Sequence, residues 1–230
     1  MKKYDLEIII GFDCNNNCIF CSNQSLRELC RKKGSFTISS EQIKNILESN
    51  NSKEVVNLFF VGGEPTILKD FFKIIRFAKK RGYFPISIQT NGRMFSSLDF
   101  CKKVCREGID VGFSIHGNSS FLHDRLTRSP GSFVQLRNGM DNFRSLGQIF
   151  RTNTTLNKIN YKRIPQIITF LSRYNPSLML FSLVSPVGIP KENFKDILPP
   201  LNNLKPIIRK SILIAEQLNQ NIKFIEVPLC

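Results

Sequence analysis

Six short β-type runs alternate along this chain with amphipathic helical stretches, and no other feature narrows its fold as far. The runs are Glu7–Phe12, Val55–Val61, Pro85–Thr90, Asp110–Ile115, Ile149–Leu156 and Leu178–Val184. Helical periodicity lies between them and after the sixth's predecessor, at Ser22–Lys32, Ser40–Ser49, Phe71–Arg81, Ser97–Glu107, Ser132–Leu146 and Tyr161–Tyr174. A last helix, Leu204–Leu218, and a seventh strand, Lys223–Val227, are expected near the end. Strands joined through helices run parallel with right-handed crossovers. The expected class is therefore α/β, a partial (β/α)6 TIM-type barrel, because six or seven units fall short of the eight that close one. At 230 residues the chain suits one domain, 1–230. Pro186–Pro200, with four prolines, is its loosest segment and is expected to form a loop over one face.

The hydrophobic fraction, 41%, is ordinary for a globular protein, and no apolar run approaches the roughly 20 residues of a membrane helix. Met1-Lys2-Lys3 before Leu6–Ile10 faintly suggests a signal peptide, but Asp5 and Glu7 interrupt it. A cytosolic protein without a membrane partner is expected. Its 33 Lys and Arg against 18 Asp and Glu leave a formal charge of +15, a field that attracts RNA, DNA or phosphorylated cofactors. A compositional bias toward Lys, Asn and Ile accounts for it as well.

Three of the seven cysteines fall in Cys14-Asn-Asn-Asn-Cys18-Ile-Phe-Cys21, directly after the first β-type run. Such clustering argues for metal rather than disulfides. A closed zinc site wants four ligands, and no further Cys or His lies nearby. A [4Fe–4S] cluster on three thiolates keeps one iron open. Cys101 and Cys105, four apart on an expected helix, read as small buried apolar residues, as does Cys30. Other unusual residues also follow strands. Gly62-Gly63-Glu64-Pro65-Thr66 follows the second, Asn91-Gly92 the third, and Ser114-Ile115-His116-Gly117 closes the fourth. Ligand sites of parallel α/β folds gather at these carboxyl ends.

The Cys-x3-Cys-x2-Cys string with Phe20 resembles the cluster loop of the radical S-adenosylmethionine (SAM) superfamily. Gly62-Gly63-Glu64 matches the motif that contacts the methionine amino group there. Gln89-Thr90-Asn91-Gly92, Ser114-Ile115-His116-Gly117, His123-Asp124-Arg125 and Pro130-Gly131-Ser132-Phe133 resemble peptide- and cofactor-maturing members. The similarity spans residues 6–184.

The resemblance implies one [4Fe–4S] cluster on Cys14, Cys18 and Cys21, with SAM bound to its open iron. An electron from a donor such as flavodoxin or ferredoxin would cleave SAM to methionine and a 5′-deoxyadenosyl radical. That radical would abstract hydrogen from a substrate. The implied cofactor contacts are Gly62, Gly63 and Glu64 at the amine and Ser114 at the ribose; Asn91, in an Asn-Gly turn, Asn153, and Arg125 at the carboxylate in competition with Arg128 are further candidates for the pocket, with a solvated helix-end charge the alternative for either arginine. Phe181 and Leu183 are candidates to flank adenine, although core packing is their more ordinary role. His116 is the candidate for proton transfer or substrate contact, and His123 for a helix-start hydrogen bond. The motif style points to a peptide or protein side chain as substrate, and the charge to an RNA-modifying enzyme. A different class, a non-catalytic zinc or iron–sulfur module docking RNA, would need His116 or His123 as a fourth zinc ligand. Pro228-Leu229-Cys230 resembles the start of an auxiliary-cluster region in longer relatives.

Overall fold

The computed structural model describes residues 3–33, 38–188 and 194–227. Its seven strands are β1 (Tyr4–Ile9), β2 (Val55–Val61), β3 (Ile86–Thr90), β4 (Asp110–Ser114), β5 (Arg151–Leu156), β6 (Leu178–Leu183) and β7 (Ile222–Ile225). Spatial order equals sequence order and every neighbouring pair is parallel. Each crossover thus advances the chain by one strand in the same sense, and the sheet curls into a half-barrel. Its edges are β1 and β7.

The crossovers carry α1 (Gln24–Lys33) and α2 (Ser40–Ser49) after β1, α3 (Phe71–Lys80) after β2 and α4 (Leu98–Arg106) after β3. Then come α5 (Ser120–Thr127) and α6 (Ser132–Ser145), α7 (Ile164–Ser172), and finally α8 (Phe194–Ile197) with α9 (Leu201–Gln217). Among these α5 is a helix that periodicity did not reveal. The expected helix Tyr161–Tyr174 divides into a 3₁₀ turn, Tyr161–Arg163, and α7. Pro165 explains the division, since it has no N–H to donate and is tolerated at a helix start. Part of Pro186–Pro200 and all of Pro228-Leu229-Cys230 lie outside the described residues.

Strand alternation sorts side chains into two layers. Facing the helices, Phe60, Ile88, Val111, Phe113, Met179 and Phe181 are buried. Phe113 packs edge-on against Phe95 and Phe150, at centroid distances of 4.9 and 5.1 Å. Phe181 stacks on Phe224 at 5.3 Å within this layer. The concave face is more polar. Low in it, Arg151 pairs with Asp110 at 3.0 Å and lies over the Phe59 ring at 5.4 Å. Ser87 donates to Asp110 or Asn57, each 3.1 Å away, and completes a polar floor. Above that floor, at the carboxyl ends of the strands, lies a cavity of about 450 Å³.

Candidate active site

The chain leaves β1 and loops back over the strand ends, which brings Cys14, Cys18 and Cys21 to one side of this cavity as free, half-buried thiols. Backbone bonds hold the loop in place. Asn17 N–H donates to the Thr127 carbonyl at 2.9 Å and Ile19 N–H to Leu126 at 3.0 Å, both at the end of α5. Phe20 packs with Leu122, Leu126 and Val184 and meets the His116 ring edge-on at 4.6 Å. Burial pushes the Cys18 thiol well above its ordinary pKa, and its cysteine neighbours add to the rise; burial likewise raises Cys14. Metal ligation requires thiolates, so loading this loop would release protons.

The donor set fits a cluster better than a single ion. Among the described residues no three Cys, His, Asp or Glu side chains converge as ligands of one metal ion. Three thiols bordering one cavity suit a cluster, whose ligands sit on different irons. The two imidazoles are engaged elsewhere. Thr155 N–H donates to His116 Nδ1 at 3.3 Å, and the His116 backbone N–H donates to His123 Nδ1 at 3.2 Å. The rings stack at 5.7 Å. Burial drives the pKa of His116 far down and that of His123 to about 4, so both are neutral at pH 7. With Nδ1 accepting, each ring carries its proton on Nε2. His116 borders the cavity and offers it a donor.

Gly62 and Gly63 also border the cavity, but what requires glycine is the β1 exit. A Cβ on Gly62 would collide with the Gly11 carbonyl oxygen, and one on Gly63 with that of Asp13. Gly63 N–H and Glu64 N–H donate to those same oxygens, each at 2.8 Å. The pair of glycines therefore lets two backbone segments touch.

The Glu64 carboxylate is more committed than its sequence context suggests. Oε1 accepts from Thr66 N–H at 3.1 Å, Thr66 Oγ1 at 2.5 Å and Thr90 Oγ1 at 2.6 Å; Oε2 accepts from Asn91 N–H at 2.6 Å. Burial raises its pKa against the pull of these donors. Only Oε2 keeps acceptor capacity for a cofactor amine.

Asn91 donates to Asn15 Oδ1 at 2.6 Å and reaches Cys14 Sγ at 3.8 Å. Ser114 accepts from Gln89 Nε2 at 2.9 Å, and both border the cavity. Leu183 borders it too, whereas Phe181 belongs to the outer layer. Asn153 lies one step below, where Ser182 Oγ donates to its Oδ1 at 2.8 Å; Ser182 reaches the cavity and Asn153 is not among the residues bordering it. Arg125 is not brought to the site. It is exposed on α5, and Arg128 is exposed at the cap of that helix. The helix rotates successive side chains by about 100°, which buries His123 and turns Arg125 outward. Asp124 caps α6 instead, accepting from Gly131 N–H and Phe133 N–H, each at 2.8 Å.

Several residues around the site carried no motif signal. Arg27 and Arg93 grip the thiol loop, while Glu7 of β1 and Glu226 beyond β7 line the cavity. Among the described residues, the charged side chains bordering it are Glu7, Glu64 and Glu226, all carboxylates, in a chain of net charge +15.

A model of the Radical SAM superfamily matches residues 8–171, from β1 to α7. The chain belongs to the radical SAM superfamily. Enzymes of that family use a [4Fe–4S] cluster and SAM. Among curated radical SAM relatives, a probable GTP 3′,8-cyclase of Saccharolobus islandicus is 24% identical over 194 residues, 84% of this chain and 60% of its own. That of Sulfolobus acidocaldarius is 26% identical over 192 residues, 83% and 59%. The chain thus spans about 60% of the length of these relatives. Streptococcus suis SuiB bound to SAM superposes with a TM-score of 0.73 at 18% identity, covering 96% of this chain and 50% of SuiB. SuiB bound to its precursor peptide SuiA gives 0.75 at 17%, covering 96% and 48%. The anSMEcpe structure with bound AdoMet and Kp18Cys peptide gives 0.68 at 17%, covering 95% and 64%. At such identities these structures speak for the radical SAM fold alone. No helix among the described residues is long and apolar enough to cross a membrane.

Proposed function

We propose that this chain binds one [4Fe–4S] cluster on Cys14, Cys18 and Cys21 and uses it with SAM to abstract hydrogen from a peptide or protein side chain. The observation that carries the reading is that the three thiols share one cavity with the Gly62-Gly63 turn and with Ser114, at the carboxyl ends of parallel strands. Cluster and SAM, when bound, supply hydrogen-atom abstraction after a one-electron reduction. The protein supplies seats and shielding. Gly62 and Gly63 hold the β2 turn against the β1 exit, and Glu64 Oε2 is available to the cofactor amine. Ser114, held by Gln89, suits a ribose hydroxyl, and Asn91 steadies the loop beside Cys14. His116 directs a neutral Nε2–H donor toward cofactor or substrate. Phe20 and Leu183 supply apolar wall that excludes water.

The charge of the cavity favours peptide over RNA or GTP. Recognition of phosphates draws on Lys and Arg, whereas among the described residues the ionisable groups at this cavity's border other than the thiols and His116 are carboxylates. The basic outer surface suits an acidic one-electron donor such as flavodoxin or ferredoxin. Thiol and cluster chemistry suits the reducing cytosol. The test is anaerobic reconstitution followed by reduction with SAM present. The expected products are 5′-deoxyadenosine and methionine, with release accelerated by peptide and unaffected by RNA or GTP. Protein that holds a cluster and releases no 5′-deoxyadenosine under strong reductant overturns the proposal.

A further inference from the structure

Arg27 occupies an expensive position. It is 5% exposed, and it sits in the first turn of α1, where a cation opposes the helix dipole. Its Nη1 donates to the Asn16 carbonyl at 2.8 Å and its Nη2 to Asn17 Oδ1 at 2.7 Å. Its buried Nε has no hydrogen-bond partner, and none of the ion pairs among the described residues includes it. From the other side comes Arg93, at the start of the 3₁₀ turn Arg93–Ser96 that follows β3. It donates to the Asn15 carbonyl, to Asn16 Oδ1 at 3.0 Å and to Gln135 Oε1 at 2.6 Å. It too is absent from those ion pairs.

Every oxygen that the two guanidinium groups touch is therefore neutral. All but Gln135 belong to Asn15, Asn16 and Asn17, the three residues between Cys14 and Cys18. A guanidinium cannot shed its proton, so burying one without an anion is costly. The missing anion has an obvious place. Three thiolates outweigh the positive charge of a resting iron–sulfur core, so the assembly is anionic before reduction and more so afterwards. We infer that Arg27 and Arg93 are positioning residues that act as countercharges to the cluster: they grip its loop through the Asn15–Asn17 relay and favour its reduced form. This rests on the cluster reading proposed above.

The redox step involved is the gain of one electron by the cluster from a low-potential one-electron donor, with no bond formed or broken. A nearby fixed cation stabilises the product of that step more than its starting state, and so raises the potential.

The experiment compares the reconstituted full chain with R27Q, R27K, R93Q and R76Q. Arg76, exposed on α3, pairs with Glu107 at 3.0 Å and neither borders the cavity nor bonds the thiol loop, so R76Q matches the charge change away from the site. Iron and sulfide content are measured first, then the midpoint by EPR-monitored redox titration. R27Q and R93Q are expected to lose at least tenfold in the reduction equilibrium, about 59 mV for one electron. R27K and R76Q are expected to stay within threefold of the parent. If R27Q cannot retain a cluster, R27K is expected to retain it, and equal loss in both overturns the charge role. Unmoved midpoints in R27Q and R93Q, equal shifts in R27Q and R27K, or an equal shift in R76Q overturn the inference alone. Parent protein that takes up no iron and sulfide overturns the cluster reading along with it.

Discussion

The backbone N–H of Asn91 donates to Glu64 Oε2 at 2.6 Å, and this bond makes the turn after β2 and the end of β3 one piece. The remaining bonds to Glu64 come from Thr66 and Thr90, so its side chain ties two strand ends beneath the cavity.

E64Q is expected to destabilise the fold by about 2–4 kcal/mol, because a carboxamide cannot accept at all four donors and turns an NH₂ toward one of them. Urea denaturation of the cluster-free protein measures this. A change below about 0.5 kcal/mol, the scale of an ordinary surface substitution, would show that the bracket contributes little.

G63A is expected to cost about 3 kcal/mol or more, since the new Cβ collides with the Asp13 carbonyl and the β1 exit must move. Displacement of that exit carries Cys14 with it, so iron retention should fall alongside stability. Wild-type iron content in a folded G63A protein would contradict the close approach.

Alanine at Cys14, Cys18 or Cys21 is expected to abolish cluster retention. C101A should leave it unchanged while costing about 1–2 kcal/mol, because Cys101 is fully buried and its Sγ contacts the Phe95 carbonyl at 3.0 Å. Iron and sulfide analysis with thermal melts separates the two groups. A triad variant that keeps its iron would remove that cysteine from the ligand set.

His123 makes stability sensitive to pH in the acid range. Its pKa falls from 6.5 to about 4 on folding, so between those values the unfolded chain binds more protons than the folded one. Stability therefore declines as pH drops from 6.5 toward 4, by roughly 3 kcal/mol from this group at the standard conversion. Glu64, whose carboxyl is raised by burial, acts in the opposite sense, so H123F must be compared with its parent. H123F is expected to be less stable at neutral pH, having lost the acceptor for His116 N–H, with a flatter profile from 6.5 to 4. Parallel profiles would assign the pH dependence elsewhere.

Much of this architecture was legible before any coordinates. Alternating β and helical runs gave the strand sequence, and the motifs after each strand marked the cavity end, because parallel crossovers leave little topological choice. Helix α5 escaped notice because it has only eight residues and a weak apolar face. That omission had consequences for Arg125: it was assigned to the cofactor carboxylate in competition with Arg128, and without the helix's bounds nothing favoured the other reading, a solvated helix-end charge, which its exposure supports. Gly62 and Gly63 were noticed for the right property, yet their closest neighbours are backbone atoms of the β1 exit. Arg27 and Arg93 were invisible for a different reason. They bind loop carbonyls and asparagine side chains, and such contacts leave no spacing rule in a sequence.

The ties from Asn17 and Ile19 to the end of α5 use protein atoms alone. They fasten the segment that carries Cys18 to a helix which follows β4, three strands away in the sheet order. A substitution that loosens the end of α5 is therefore expected to be felt at the thiols, although no residue of that helix end carries any of the site's chemistry.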